Sequence, residues 1–283
     1  MKIIEEFSLE NHNGYRFKSY CSKAYIAEDD SDIIKFFSEI RSNYIILGAG
    51  FNTILSKDYY SDPVLIVFPS NRIQFKEETV QAYAGVSLME LSLACHKQHL
   101  SGMEFLYDIP GSIGGAIYMN AGNDQKDISS LVDRIEYYDV TQNQIKIISK
   151  DQAEFEYRSS IFQQTRDLII TRVQFQLNHG NAAEIANKML ELKNIRWEKQ
   201  PRHFPNCGSV FKRPEGKFVG PLLEKIGLKG TSVGGMKVSD KHAGFIINFN
   251  NGNANDLLTL IELIQDRVMN EYDIDLELEQ RII

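Results

Sequence analysis

The sequence predicts a globular protein built from both helices and strands, and three observations support this prediction. Apolar residues recur at helical spacing over 33–40, whereas polar and apolar residues alternate over 168–177 as in a strand with one wet face. Between these segments lies a glycine-rich stretch, 102–122, which is too poor in side chains for an ordinary helix or strand. With 43% hydrophobic residues among 283, the chain can bury a sizeable core in one large domain or in two to three small ones.

The first half of the chain predicts alternating helices and strands. Asp30-Ser31-Asp32 precedes the helical spacing and fits an N-cap, and Ser87-Leu-Met-Glu90 has the pattern of a capping box. Aliphatic runs between these signals predict buried strands. In order, the elements are a helix over 31–42, strands over 44–47, 64–68 and 79–85, and a helix from Ser87 through about His99.

The second half of the sequence predicts three strands, which are followed by helices, a loop and two further strands. The last segment alternates apolar residues with acids, so it predicts a strand that carries three acids on one face. We place a domain boundary between about 178 and 200, where the charge pattern changes. The elements are strands over 133–140, 144–149 and 168–177, helices over 182–198 and 222–226, a loop over 230–241, a strand ending at Asn248, a helix capped by Asn255 or Asp256, and the strand over 274–283.

Composition excludes several classes of protein. No apolar run approaches the roughly 18 residues of a membrane span. The first residues lack the apolar core of a signal peptide, so we expect a cytoplasmic protein. The three cysteines, Cys21, Cys95 and Cys207, are an odd count without paired ligand spacing. They therefore predict neither a disulfide framework nor a metal site.

Charge is distributed unevenly along the chain. The net charge is −7, yet the segment from Arg196 to His242 carries ten lysines and arginines against four acids. A basic segment in an acidic protein indicates a local site for an anionic small molecule rather than a surface for nucleic acid. A solvated basic face without a ligand is the alternative.

Two glycine-containing segments are candidates for holding phosphate groups. In the stretch 102–122, Pro110 presets one dihedral angle, Gly111 permits a turn and Ser112 can donate a hydrogen bond, so the backbone can approach an anion. The turn 48–53 follows a predicted strand and offers a second such place. A packed glycine turn without a ligand is the alternative for both segments.

Polar side chains outside these segments suggest chemistry. Arg158 lies among aromatic and hydroxyl residues, where its guanidinium could bind a carboxylate as a fork or simply stack on Tyr157. Ser209 follows a glycine in the basic segment and suits a proton donor, an anion ligand or a plain turn. It lacks the Gly-x-Ser-x-Gly spacing of hydrolases, so we reject acyl chemistry. We interpret His242 as a structural residue.

Six motifs occur in the order found in one family. They are Gly48 to Asn52, Ile109 to Gly122, Tyr157-Arg158 with Ser160 and Phe162, Asn206 to Pro214, Lys241 to Asn248, and Leu276 to Ile283. In this series the chain closely resembles the UDP-N-acetylenolpyruvoylglucosamine reductases, also called UDP-N-acetylmuramate dehydrogenases, which are flavoenzymes of peptidoglycan precursor synthesis. The short link between the strand ending near Leu177 and Lys199-Gln-Pro201 resembles the shorter subtype of the family.

The resemblance implies an α+β fold in which a two-lobed FAD-binding module of the vanillyl-alcohol-oxidase (PCMH) type precedes a C-terminal α+β substrate-binding domain. We accordingly expect lobes over 1–70 and 71–195 and the substrate-binding domain over 196–283. The resemblance also implies a ping-pong reaction in which NADPH reduces the flavin and leaves before UDP-N-acetylglucosamine enolpyruvate receives a hydride at its β carbon. It implies a cytoplasmic monomer or weak dimer that serves cell wall biogenesis, cell shape and cell division.

The same resemblance implies roles for individual residues. Arg158 and Glu279 match the residues that stabilise the enolate formed at the α carbon, and Ser209 matches the proton donor to that carbon. The positions expected to contact substrate are Tyr157, Lys199, Lys212 and Arg213. The positions expected to hold FAD are Gly48, Ala49, Gly50, Phe51, Asn52, Thr53, Pro110, Gly111, Ser112, Gly114, Gly115 and Ala116.

Three places depart from the family pattern. Phe51 stands where a serine is usual, Cys21-Ser22 replaces a Gly-Gly pair, and 123–126 replaces a tyrosine followed by glycines. The alternatives are a paralogue acting on a related sugar nucleotide, an oxidase of another small alcohol or sugar, and a non-catalytic binder of flavin or nucleotide sugar. Retention of Ser209 and Glu279 argues against the alcohol oxidase, which needs no proton donor to carbon.

Overall fold

The structure, a computed structural model, describes residues 1–41, 43–67, 72–123 and 125–283 of the chain. The α-helices are α1 (Asp30–Glu39), α2 (Leu88–Lys97), α3 (Ile113–Tyr118), α4 (Ala182–Lys199), α5 (Val219–Lys225) and α6 (Ala254–Tyr272). The strands of the first half are β1 (Lys2–Ser8), β2 (Tyr20–Ala27), β3 (Ile45–Leu47), β4 (Thr53–Ile54), β5 (Tyr59–Tyr60), β6 (Val64–Val67), β7 (Ile73–Lys76), β8 (Thr79–Tyr83) and β9 (Leu100–Ser101). The later strands are β10 (Val132–Asp139), β11 (Gln144–Ser149), β12 (Leu168–Gln176), β13 (Asn178–His179), β14 (Ser232–Val233), β15 (Met236–Val238), β16 (Ile246–Asn248) and β17 (Arg281–Ile282).

Side-chain caps determine where the helices begin. The predicted capping box at Ser87 is confirmed, since its side chain accepts from the Glu90 N–H and Glu90 reaches back to the Ser87 N–H. The prediction for α6 was wrong by a few residues, because Asn253 caps the helix and Asp256 completes a box with it. Asp29, one residue before the expected segment, caps α1.

The chain forms two compact units. The first comprises residues 1–5, 23–49 and 62–194, and the second comprises residues 6–22, 50–61 and 195–283. Each unit has its own cluster of buried apolar side chains. The expected division into 1–70, 71–195 and 196–283 stays a prediction. Among the described residues, no helix is both long and apolar enough to cross a membrane.

The first unit contains two larger sheets and the short antiparallel pair of β9 and β13. Five antiparallel strands pair in the order β11-β10-β12-β8-β7, and β6 pairs in parallel with both β2 and β3. Along β12 the predicted alternation places Val173 and Phe175 in the core, where neither is accessible to solvent. Helices α2 and α3 contribute buried residues to the same core.

The second unit packs helices against short strands. β14, β15 and β16 form an antiparallel sheet, and β17 pairs in parallel with β4. Five apolar residues at helical spacing line the buried face of α6, which confirms the predicted stripe. These residues are Leu257, Leu260, Ile261, Ile264 and Val268.

Three predictions of secondary structure were wrong, and a fourth is partly outside the described residues. The glycine-rich stretch contains helix α3, the predicted loop 230–241 contains β14 and β15, and the predicted strand 274–283 is reduced to β17. Before β17 the bridge between Leu278 and Phe211 is the one strand pairing of this segment within the described part of the chain, which is less than a longer strand needs. Phe68, the expected end of β6, lies outside the described residues.

Candidate functional site

The two predicted phosphate-binding segments meet at Ser112 in the first unit. A Cβ atom built on Gly48 would lie 3.0 Å from Ser112 Oγ, and one built on Gly115 would lie 3.4 Å from it. Both glycines are exposed, whereas Ser112 is buried. A side chain at Gly48 would crowd the serine, and side chains at either position would cover exposed backbone. The arrangement therefore leaves a backbone surface that an anion such as a pyrophosphate can approach.

Helix α3 explains why the glycine-rich stretch folds in this way. Ser112 caps the helix, with its Oγ accepting from the Gly115 N–H at 3.4 Å. The Gly114 N–H donates to the Ala84 carbonyl at 2.7 Å, and a Cβ on Gly114 would lie only 2.9 Å from Ala84 Cβ. Gly114 thus lets α3 approach β8 closely, and its amide is engaged within the fold.

Gly111 is needed for its backbone conformation. Its φ of +142° is one that residues with side chains rarely adopt, and no described atom lies within 4 Å of the place a Cβ would take. Its carbonyl accepts from the N–H of Leu88 at 3.1 Å, which ties the turn to the start of α2. The turn before Ser112 is therefore anchored on one side and open on the other.

Arg158 is held in one orientation within the first unit. Its φ is +55°, and its guanidinium donates through Nη1 to the Asn120 carbonyl at 3.3 Å and through Nη2 to the Gly122 carbonyl at 3.2 Å. Asp127 Oδ1 lies 3.5 Å from Nη1, and the guanidinium carbon lies 5.1 Å from the Tyr157 ring centre. The contact with Tyr157 agrees with the stacking interpretation, and the use of this guanidinium as a fork for a ligand carboxylate stays a prediction.

Ser209 and Glu279 are brought together by backbone pairing in the second unit. Gly208 has a φ of +79°, and the next residue, Ser209, forms an antiparallel bridge with Phe245. The carbonyl of Val210 accepts from the Glu279 N–H at 2.9 Å. Two residues that lie 70 positions apart in the chain are thus held on adjacent backbone segments.

Asn52, an expected FAD contact, supports the segment that carries Glu279. Its Nδ2 donates to the Glu279 carbonyl at 3.0 Å, and its own carbonyl accepts from the Arg281 N–H at 3.0 Å. Gly50 in the same turn has a φ of +72°, and a Cβ there would overlap the His12 carbonyl oxygen at 1.8 Å. Much of this turn therefore serves close packing within the second unit.

Three of the expected substrate contacts lie in the second unit. Lys212 Nζ lies 2.5 Å from Glu277 Oε1, so its charge is partly balanced. Arg213 is exposed, and its guanidinium carbon lies 4.2 Å from the Phe218 ring centre. Lys199 is exposed at the end of α4. The remaining expected contact, Tyr157, is an exposed residue of the first unit.

His242 belongs to the turn before Phe245, the residue that forms a bridge with Ser209. Its Nδ1 accepts from the Gly244 N–H at 3.1 Å, and its ring lies edge-on to Phe245 with 4.9 Å between centres. Burial lowers the pKa of the imidazole, which favours the neutral form that accepts this bond. These contacts support the interpretation of His242 as structural.

Sequence reasoning missed a buried pair, Tyr15 and Gln280. The Tyr15 hydroxyl donates to Gln280 Oε1 at 2.9 Å, and Gln280 Nε2 faces the carbonyl of Ser209 at 3.2 Å. The alternation over 274–283 had placed Gln280 on the same side as Leu276 and Leu278. A glutamine on an otherwise apolar face was the available signal.

Comparison with known proteins finds relatives along the whole chain. A model of an FAD binding domain matches residues 26–148, and a model of the UDP-N-acetylenolpyruvoylglucosamine reductase C-terminal domain matches residues 200–283. The UDP-N-acetylenolpyruvoylglucosamine reductase of Francisella tularensis subsp. tularensis is 35% identical over 99% of this chain and 100% of its own length. The enzyme of that name from Latilactobacillus sakei is 41% identical over 84% of this chain and 78% of its own. The crystal structure of the Thermus caldophilus reductase superposes with a TM-score of 0.85 at 26% identity, covering 100% of this chain and 99% of the other.

These matches confirm the expected fold class. An FAD-binding module of the vanillyl-alcohol-oxidase type is followed by a distinct C-terminal α+β domain. The FAD-domain match includes Gly48, Ser112 and Gly115, whereas the C-terminal match includes Ser209 and Glu279. The exposed glycine backbone therefore falls in one matched domain, and Ser209 and Glu279 fall in the other.

Proposed function

The chain belongs to the UDP-N-acetylenolpyruvoylglucosamine reductase family, and we propose that it reduces UDP-N-acetylglucosamine enolpyruvate to UDP-N-acetylmuramate with NADPH as the reductant. It is an FAD-dependent oxidoreductase. The hydrogen bond from the Glu279 N–H to the carbonyl of Val210, the residue after Ser209, is the observation that carries the proposal. It holds the backbone that bears Glu279 next to the backbone that bears Ser209, and this reduction requires a proton donor. Such a reaction supplies a precursor of peptidoglycan.

The first unit has a surface that fits the cofactor's pyrophosphate. Gly48 and Gly115 leave exposed backbone around Ser112, where side chains would fill the space. We propose that Gly48–Thr53 and the segment from Pro110 to Ala116 hold FAD, with the exposed glycines approaching the phosphate oxygens. When bound, FAD supplies a hydride for the β carbon of the enolpyruvyl group after accepting one from NADPH.

Protonation completes the reduction. Hydride addition at the β carbon leaves an electron pair on the α carbon, which is delocalised into the substrate carboxylate as an enolate. We propose that the Ser209 hydroxyl donates its proton to the α carbon and that Glu279 assists this transfer. The Arg158 guanidinium is proposed to stabilise the enolate charge, because its planar fork matches a carboxylate.

Basic and aromatic side chains are proposed to bind the nucleotide sugar. Arg213 presents an exposed guanidinium held against Phe218, which suits the diphosphate of the UDP group. Lys199 and Lys212 add positive charge within the basic segment, and Tyr157 offers an exposed ring and hydroxyl. The excess of lysine and arginine over acid between Arg196 and His242 supports this assignment.

The proposal extends to partners and location. We propose a cytoplasmic enzyme that acts as a monomer or weak dimer and binds neither nucleic acid nor membrane. The net charge of −7 disfavours association with a phosphate backbone. Light scattering of the purified protein tests the oligomeric state, and a stable higher oligomer would contradict it.

Purification and an anaerobic titration test the function. The protein is expected to be yellow, to lose its flavin absorbance on addition of NADPH, and to regain it on addition of UDP-N-acetylglucosamine enolpyruvate. Mass spectrometry should then find UDP-N-acetylmuramate. A preparation that binds flavin but is never reoxidised by this substrate would contradict the proposal and favour a different sugar nucleotide or a binding protein.

A further inference from the structure

A buried polar network reaches the backbone of the Ser209 turn. Gln280 is 3% exposed and Tyr15 is 0% exposed. The Tyr15 hydroxyl donates to Gln280 Oε1 at 2.9 Å. On its other side, Gln280 Nε2 lies 3.2 Å from the Cys207 carbonyl oxygen, 3.4 Å from that of Gly208 and 3.2 Å from that of Ser209.

The surroundings of Gln280 permit one orientation of its amide. Carbonyl oxygens accept hydrogen bonds but cannot donate them, so only the NH₂ side can face the three carbonyls. The amide oxygen then needs a donor, and the Tyr15 hydroxyl provides it. Rotation of the side chain would leave buried polar atoms unpaired on both sides, which opposes any movement of the turn.

Tyr15 is itself fixed. Its carbonyl accepts from Asn248 Nδ2 at 2.9 Å, and its ring stacks on Phe17 with 5.3 Å between centres. Burial raises the pKa of the Tyr15 hydroxyl, so it remains protonated and able to donate. The anchor of the network therefore lies in the core of the second unit.

The turn that carries Ser209 gains support from this network. Gly208 has a left-handed φ of +79°, and no described atom lies within 4 Å of the place a Cβ would take there. The turn thus has little packing of its own at this position. Gln280 supplies the missing support, and it directly follows Glu279 in the chain.

We propose that Gln280, held by Tyr15, is a positioning residue for the protonation step. By fixing the carbonyls of residues 207–209 it holds the Ser209 hydroxyl in the orientation needed to protonate the α carbon, and it holds the Glu279 backbone beside it. This inference rests on the proposed function, since that function assigns the protonation step to Ser209.

Two variants test the inference by different routes. Gln280→Met keeps the side-chain volume but removes the amide, and Tyr15→Phe removes only the hydroxyl. Both should leave flavin reduction by NADPH unchanged and should slow flavin reoxidation by the enolpyruvyl nucleotide sugar, by about 10- to 100-fold for Gln280→Met, the scale of a misplaced catalytic group. The solvent deuterium isotope effect on reoxidation should rise, because proton transfer from a misaligned donor becomes rate-limiting. The double variant should be less impaired than the two separate effects predict, since both remove one network.

Gln265→Met is the matched control. Gln265 also donates to a backbone carbonyl of the C-terminal segment, that of Leu276 at 2.8 Å, but it lies outside the Ser209 turn. This variant should reoxidise at the wild-type rate with the wild-type isotope effect. Equal slowing in Gln265→Met and Gln280→Met would overturn the inference, since loss of general packing would then explain both.

Hydrogen exchange separates this inference from the proposed function. Amides of residues 207–210 should exchange faster in Gln280→Met than in wild type, whatever substrate the enzyme uses. Unchanged exchange would overturn the inference, and so would faster exchange with unchanged reoxidation. A wild-type protein that the enolpyruvyl nucleotide sugar does not reoxidise would instead contradict the proposed function, while the exchange result still reports on the network.

Discussion

The Ser112 region of the first unit and the Ser209 turn of the second unit use glycine in different ways. Around Ser112, exposed glycines leave the backbone itself as the surface that a ligand can approach. At Ser209, one glycine with a positive φ allows a turn that presents a single hydroxyl, and a buried glutamine holds the turn. In the first region the proposed function depends on the absence of side chains, and in the second it depends on the orientation of one.

This difference determines what kind of defect each region should show. A change in the backbone surface should weaken the affinity for FAD but should not change the reaction rate of the enzyme that has FAD bound. A change at the Ser209 turn should alter one step of the reaction and leave the affinity for FAD alone. Variants in the two regions should therefore show either a loss of FAD affinity or a slower reaction step, but not both.

The largest effect is expected from Ser209→Ala. Loss of a general acid slows the step it serves by about 10² to 10⁴ fold, so flavin reoxidation by substrate should slow by this factor while reduction by NADPH is nearly unchanged. Anaerobic stopped-flow absorbance measures both half-reactions. Ser232→Ala, a change at an exposed serine of the same unit, should behave as wild type. Equal slowing of both half-reactions would refute the role of Ser209 as proton donor.

Glu279→Gln should produce a smaller effect on the same half-reaction. The amide keeps the shape of the side chain but cannot assist proton transfer, so we expect reoxidation to slow by about 10- to 100-fold. The control is Glu277→Gln, since Glu277 lies two residues away, is 70% exposed and pairs with Lys212. An unaltered rate in Glu279→Gln would contradict a role of this acid in proton transfer.

Gly111→Ala tests the backbone surface of the first unit. A Cβ at a φ of +142° is strained, so the turn before Ser112 should shift and the dissociation constant for FAD should rise by about tenfold. Equilibrium dialysis or flavin fluorescence measures the affinity. Gly216→Ala is the control, because Gly216 also has a positive φ and open space but lies in the second unit. The same loss of affinity in both variants would show a general effect of strain.

A separate effect, on stability rather than on activity, is expected at high pH in the second unit. Burial raises the pKa of the Cys207 thiol from 9.0 to about 12. An unfolded chain ionises this thiol above pH 9 while the folded protein keeps it neutral, so the free energy of unfolding should fall between pH 9 and 12, by at most about 1.4 kcal/mol per pH unit for this group. Urea unfolding across this pH range should show that the free energy of unfolding declines less steeply in Cys207→Ala than in the wild type. Val210→Ala, a buried neighbour without a titrating group, should lower stability but keep the wild-type slope.

Elements encoded by local patterns could be predicted from the sequence. The predicted bounds of β11 agree with those observed, and the capping box of α2 and the apolar face of α6 were correct, because each depends on neighbouring residues. Helix α3 was missed, since glycine is a poor helix former and the helix depends on its serine cap and on close contact with Ala84. Strands β14 and β15, which are two and three residues long, were missed within the segment 230–241 that was interpreted as a loop.

The candidate site was predictable only in part. Ser209 and Glu279 were identified through the resemblance of their motifs, and the exposed glycines through their spacing. The pair of Tyr15 and Gln280 was missed because 265 residues separate its members and neither belongs to a local motif. Contacts of this kind arise from the packing of the second unit and have no counterpart in local periodicity.

The separation of FAD binding from proton transfer is tested most directly by the rate of flavin reoxidation at saturating FAD, measured side by side in Gly111→Ala and Ser209→Ala. We predict that Gly111→Ala recovers the wild-type rate once FAD fills its site, and that Ser209→Ala remains slow at every FAD concentration. Slow reoxidation in the FAD-saturated Gly111→Ala, or recovery of Ser209→Ala on adding FAD, would contradict this division.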